Sequence, residues 1–113
     1  MTIKTDIFDA ESFDFGRKLV AEYEFGLIDI RQRITVRVYK YIKPAPGSYD
    51  FELSHEMRTP ANPAAPYRTS ERSRRTIEDT LRRAVESITL YYEMAKRAGH
   101  TPSTDWLVPN EYF

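Results

Sequence analysis

Residues 70–98 read SERSRRTIEDTLRRAVESITLYYEMAKRA, and this stretch decides the fold. Wound at about 100° per residue, it gathers Ile77, Leu81, Ala84, Val85, Ile88, Tyr91, Tyr92 and Ala95 into one apolar stripe. Glu71, Arg75, Glu78, Asp79, Arg82, Arg83, Glu86, Glu93 and Arg97 fill the other side. The pattern predicts one long amphipathic helix, capped by Thr69 or Ser70 and ended by Gly99, with Pro102 just beyond. About 29 helical residues would span roughly 43 Å. Such a helix needs an apolar surface to lie on, and the chain supplies one upstream.

That surface begins at Asp29. Ile30, Gln32, Ile34, Val36, Val38 and Ile42 alternate with Arg31, Arg33, Thr35, Arg37, Tyr39 and Tyr41, a period of two rich in β-branched residues. Lys43-Pro44-Ala45-Pro46-Gly47-Ser48 forms a turn, because two prolines and a glycine cannot continue a ladder. The next strand carries Tyr49, Phe51, Leu53, His55 and Met57 on one face. Pairing residues whose numbers sum to about 91 aligns the two apolar sets and sets Tyr39 opposite Glu52 and Thr35 opposite Glu56. Residues 13–26 fit either period. A strand over 18–25, with Leu19, Ala21, Tyr23 and Phe25 on one face, is preferred to a helix that Gly16 would weaken. Thr59–Pro66 (TPANPAAP) has no periodicity and reads as an exposed connector.

Length and composition bound the rest. A chain of 113 residues suits one modest core. Positive and negative side chains balance at 17 each, so no global field draws the protein to nucleic acid or anionic lipid. There is no cysteine, which excludes disulfides, thiolate metal sites and cysteine nucleophiles and fits a reducing compartment. No signal-peptide pattern or membrane-length apolar run is present, so a cytoplasmic protein is expected.

Three surfaces could carry function. Arg68, Ser70, Arg72, Arg74 and Arg75 cluster at the expected helix entrance, where free amide hydrogens and arginines suit a phosphate or carboxylate. The alternative is a solvated ladder of i, i+4 pairs such as Glu71–Arg75 and Asp79–Arg83. The outward sheet face interleaves Arg31, Arg33 and Arg37 with Tyr39 and Tyr41, as nucleic-acid binders do. Asp50, Glu52 and Glu56 on the partner strand oppose a polyanion, so nucleic acid is disfavoured there. Finally, Leu90 interrupts the charged side of the helix between Glu86, Glu93 and Arg97, with Met94 beside it. Together with Trp106 and Leu107 of the C-terminal tail, these mark an interface, or the tail folds back as an intramolecular clasp.

Chemistry finds little footing. His55 and His100 lack the spacing of a metal pair, so no metal site and no cofactor are expected. Most carboxylates have an arginine at helical or cross-strand distance, and no catalytic residues stand out. The expectation is an α+β fold in two layers, an antiparallel meander of two or three strands packed against one long C-terminal amphipathic helix. It divides into a lead-in (1–12), meander (18–58), proline-rich connector (59–69), helix (70–98) and clasp (99–113), as a single domain. The expected role is a small non-enzymatic interaction or oligomerisation module, with a homodimer or another protein as partner. An anion binder acting through the helix entrance is the alternative.

Overall fold

A computed structural model describes residues 6–62 and 76–113. Strands β1 (Gly16–Leu27), β2 (Ile30–Lys43) and β3 (Tyr49–Leu53) form an antiparallel sheet in that order. Strand β4 (His55–Met57) leaves it to pair with β5 (Leu107–Pro109), and one helix, α1 (Ile77–Arg97), packs on β2, β3 and β4. The fold is α+β, with three strands in the main sheet.

The ambiguous N-terminal stretch is a strand, and a bulge corrects its expected facing. Leu19 pairs with Tyr39, but Ala21 pairs with Val38, so Val20 is an extra residue. The slip reverses the phase: Leu19 shares a face with Tyr39, whereas Ala21, Tyr23 and Phe25 share one with Val38, Val36 and Ile34. The four residues therefore do not form one face. Strand β1 ends in a tight turn at Ile28-Asp29, and the lead-in folds back through Lys43 Nζ, which donates to the carbonyls of Phe8 and Ala10 at 3.2 Å each. The Phe8 ring lies against Gly16, where an added Cβ would meet it at 3.3 Å.

The β2–β3 register also differs from expectation. Val36 faces Leu53, Arg37 faces Glu52 and Tyr39 faces Asp50, two residues away from the expected pairing. A shift of two preserves parity, so the apolar sets still share a face while every cross-strand charge partner changes. The turn fixes this register. Gly47, at φ +82°, donates its N–H to the Tyr41 carbonyl at 3.0 Å, a backbone conformation that favours glycine.

The second strand does not run unbroken to Met57. At Ser54 the hydroxyl accepts from Thr35 N at 2.8 Å while Ser54 N donates to Thr35 O at 2.9 Å. Asn110 then takes over, its backbone N donating to Ser54 O at 2.8 Å and its Nδ2 to Leu53 O at 2.9 Å. The C-terminal tail thus peels β4 away and pairs with it.

Helix α1 starts later than expected. Thr76 is its N-cap, the side chain accepting from Asp79 N at 3.1 Å, and Glu78 and Asp79 occupy the acidic first turn. Its 21 residues reach about 32 Å, shorter than the span expected from residue 70. The expected end holds: Gly99 N donates to Lys96 O and His100 N to Ala95 O, both at 3.0 Å, with Gly99 at φ +88°.

The core joins Ile30, Ile34, Met57, Ile88, Tyr92, Ala95, Trp106 and Leu107, with Phe25, Leu27, Leu53 and Tyr91 at its margin. Val36, Val38 and Ala84 are fully buried. The two sheets and the helix therefore close on one apolar centre, as the alternation of β2 and the stripe of α1 require.

Candidate functional site

The outward face of α1 carries two of the exposed large apolar side chains among the described residues. Ala84, Ile88 and Ala95 are buried against the sheets, and Leu90 lies about 200° round the helix from Ile88. It cannot reach the core. Leu90 is 59% exposed and Met94 is 51% exposed, although both are large apolar side chains. Four residues apart, they stand on neighbouring turns, with exposed Glu86, Glu93 and Arg97 around them.

Of the four residues expected at an interface, the structure keeps these two together and separates the others. Trp106 and Leu107 are buried in the chain's own core at 5% and 6% exposure. Leu107 pairs with Met57, Trp106 O accepts from Arg58 N at 2.7 Å, and the Trp106 and Tyr92 rings meet edge to face at 6.3 Å. The tail is a clasp on the core, away from the Leu90 side of the helix.

Arg68, Ser70, Arg72, Arg74 and Arg75 lie outside the described residues. The helix entrance itself is Thr76 with Glu78 and Asp79, a first turn whose charges match the helix dipole.

On the outward sheet face Arg17, Arg37, Tyr39 and Tyr41 are held by partners within the chain, while Arg31 and Arg33 are exposed. Arg37 Nε donates to Glu22 at 3.0 Å and its guanidinium lies 4.1 Å from the centre of the Phe113 ring. Arg17 stacks on Tyr39 at 3.6 Å and pairs with Glu52, while Phe15 meets Tyr41 edge to face at 5.8 Å. Tyr41 donates to Asp50 Oδ2 at 3.0 Å, and burial pushes the Asp50 carboxyl above its ordinary value. Sequence reasoning placed Asp50 on this face but missed Arg17 and Phe15 as members of the cluster. Period two across FDFGRK contained the signal, but only the β1–β2 register brings Arg17 opposite Tyr41.

Two polar groupings elsewhere have structural explanations. Ser54 Oγ lies 2.8 Å from His55 Nδ1, and burial holds the His55 imidazole below its usual pKa. The serine hydroxyl already accepts the Thr35 N–H, so the pair completes a strand junction. At the other end, Tyr92 donates its hydroxyl to Asp29, and Lys96 Nζ lies 3.1 Å from the same carboxylate. This clamp ties the last turns of α1 to the β1–β2 hairpin tip. The Tyr92 hydroxyl and then the Lys96 ammonium hold the Asp29 carboxyl below its ordinary range.

Among the described residues no group of three or more His, Cys, Asp or Glu is placed to hold a metal ion. No helix of the described residues is long and apolar enough to cross a membrane. No protein-family model matches the chain, no curated protein matches it, and no solved structure matches it.

Proposed function

We propose that this chain is a small cytosolic interaction module that works by contact rather than by catalysis, through the outward face of α1. One observation carries the reading: Leu90 and Met94 stay more than half exposed although the C-terminal clasp has already closed the core. A single exposed leucine is ordinary on a protein surface. Two large apolar side chains on consecutive turns, set within a ring of charge, match the apolar centre and polar rim of a small interface. The cysteine-free composition supports the cytosolic assignment.

The test is quantitative affinity capture from the native host with the wild-type chain and with the Leu90→Arg/Met94→Glu variant. Circular dichroism serves to verify the variant's fold. The reading expects at least one wild-type partner, which includes the chain itself, to be lost with the variant. Identical capture by both proteins would remove this helix face from the interaction surface.

A further inference from the structure

We infer that the open edge of β1 pairs antiparallel with the same edge of a second copy of the chain, joining two three-stranded sheets into one. This surface lies apart from the α1 face, and the inference does not depend on the contact reading above. β1 stands at the end of its sheet, and among the described residues no strand pairs with its other side. At 12 residues it is far longer than β3, at five, or β4 and β5, at three each. α1 packs on β2, β3 and β4, and on β1 Tyr23 stays exposed on the inner side and Leu19 on the outer.

The backbone phase shows what this edge offers. Thr35 and Tyr41 turn their N–H and C=O groups to the β3 side, so Val36, Val38 and Lys40 turn theirs to β1. Their partners Tyr23, Ala21 and Lys18 are thereby engaged with β2. Arg17, Leu19, Glu22 and Glu24 point N–H and C=O groups into the open edge, a template for another extended strand.

The charges of β1 select its own copy. Arg17 and Lys18 lie toward one end, Glu22 and Glu24 toward the other, and these are all its charged residues. Arg17 and Glu22 also hold Glu52 and Arg37 within the chain, while Lys18 and Glu24 stand exposed. An antiparallel copy brings the basic end to the acidic end, whereas a parallel copy in register sets like charge on like. Charges of one sign would repel a copy and guard the edge; opposite signs segregated along it do the reverse. The Val20 bulge then narrows the register. It leaves Arg17, Leu19, Glu22 and Glu24 all on the outer face, and opposed residues must share a face. The register that pairs all four sets Arg17 against the partner's Glu24, Leu19 against the partner's Glu22 and Lys18 against the partner's Tyr23. Its two-fold axis passes between Val20 and Ala21. Asp14, just before the strand, falls opposite the partner's Leu27, so no like charges meet.

Sedimentation equilibrium of the full chain over a wide concentration range should show a reversible dimer. Glu22→Pro deletes an N–H that faces the open edge and leaves the bonds to β2, so it should be monomeric with an unchanged circular-dichroism spectrum. Glu24→Lys, at an exposed position, sets like charge against the partner's Arg17 twice over and should weaken the dimer about tenfold. Lys18→Cys and Tyr23→Cys each give this cysteine-free chain a single thiol. Mixed, the two should cross-link under mild oxidation, because they oppose each other as a non-hydrogen-bonded pair, and neither should cross-link alone. A wild type that stays monomeric, or a dimer indifferent to Glu24→Lys and to a folded Glu22→Pro, would overturn the inference without touching the α1 reading. If that indifferent dimer is lost with Leu90→Arg, self-association belongs to α1. Cross-linking of either variant with itself, and not of the mixture, would overturn the antiparallel register.

Discussion

The inner and outer faces of α1 are cut from the same 21 residues and have opposite fates. Ile88 is 1% exposed and Leu90, two positions on, is 59% exposed. Their chemistry is nearly the same, so hydrophobicity alone does not assign them. Phase does: the helix turns Ile88 into the sheets and Leu90 away from them. An apolar residue on the outer phase of an amphipathic helix adds nothing to the core. The inner face carries stability, and the association we propose falls to the outer face.

Substitutions on the two faces test that contrast. The largest effect is expected at Ile88→Ala, which leaves a cavity among Ile34, Met57 and Tyr92 and should cost about 2–5 kcal/mol in chemical denaturation. Thr76→Ala removes the hydroxyl that accepts from Asp79 N and should cost about 1 kcal/mol by the same measurement. It weakens both faces together by fraying their shared first turn. A loss as large as that of Ile88→Ala would show that the cap supports more than this helix.

Acidity separates the clamp beneath the inner face from the outward sheet cluster. Asp29 has a depressed pKa in the folded chain, so its contribution is complete above its unfolded value, near pH 4, and fades as pH falls through the lower folded value. Asp29→Asn should flatten the acid limb of a stability–pH profile. Asp50 has the opposite sign: its folded pKa is raised, so its ionisation subtracts stability as pH rises from the unfolded value through the folded one. Asp50→Asn should therefore gain stability relative to wild type on the neutral side of that range. Parallel profiles for the two variants would contradict the assigned directions.

The smallest stability change is expected for Leu90→Arg, within about 0.5 kcal/mol, because the side chain stands largely in water. Its effect should fall on association. A loss comparable to Ile88→Ala would show that the two faces are not separable.

Much of the architecture was legible in the chain. The period of two from Ile30 to Val38 and the stripe through Ala84, Ile88 and Ala95 specified what is buried, and Gly99 specified the helix end. The exposure of Leu90 was legible too, since it fell among charges on the wheel. The misread features depend on single residues. One bulge at Val20 reversed the facing of Leu19, a two-residue register change swapped the partners of Tyr39, and the Ser54 hydroxyl replaced a ladder bond and released β4. Periodicity averages over several residues and is blind to an inserted one. The assembly of Arg17, Phe15 and Asp50 around Tyr39 and Tyr41 depended on that same register.

By itself, the sequence determined the layers, because burying an apolar face requires a matching period that local composition writes directly into the chain. Only the closing of the chain settled that Trp106 and Leu107 fill the core instead of joining Leu90 and Met94 on the surface. The choice was made by distant segments meeting: Asn110 reaching Leu53 and Ser54, β5 pairing with β4, and Asp29 receiving Tyr92 and Lys96. Such contacts join positions that no local pattern connects, and their energy exists only once the chain has closed.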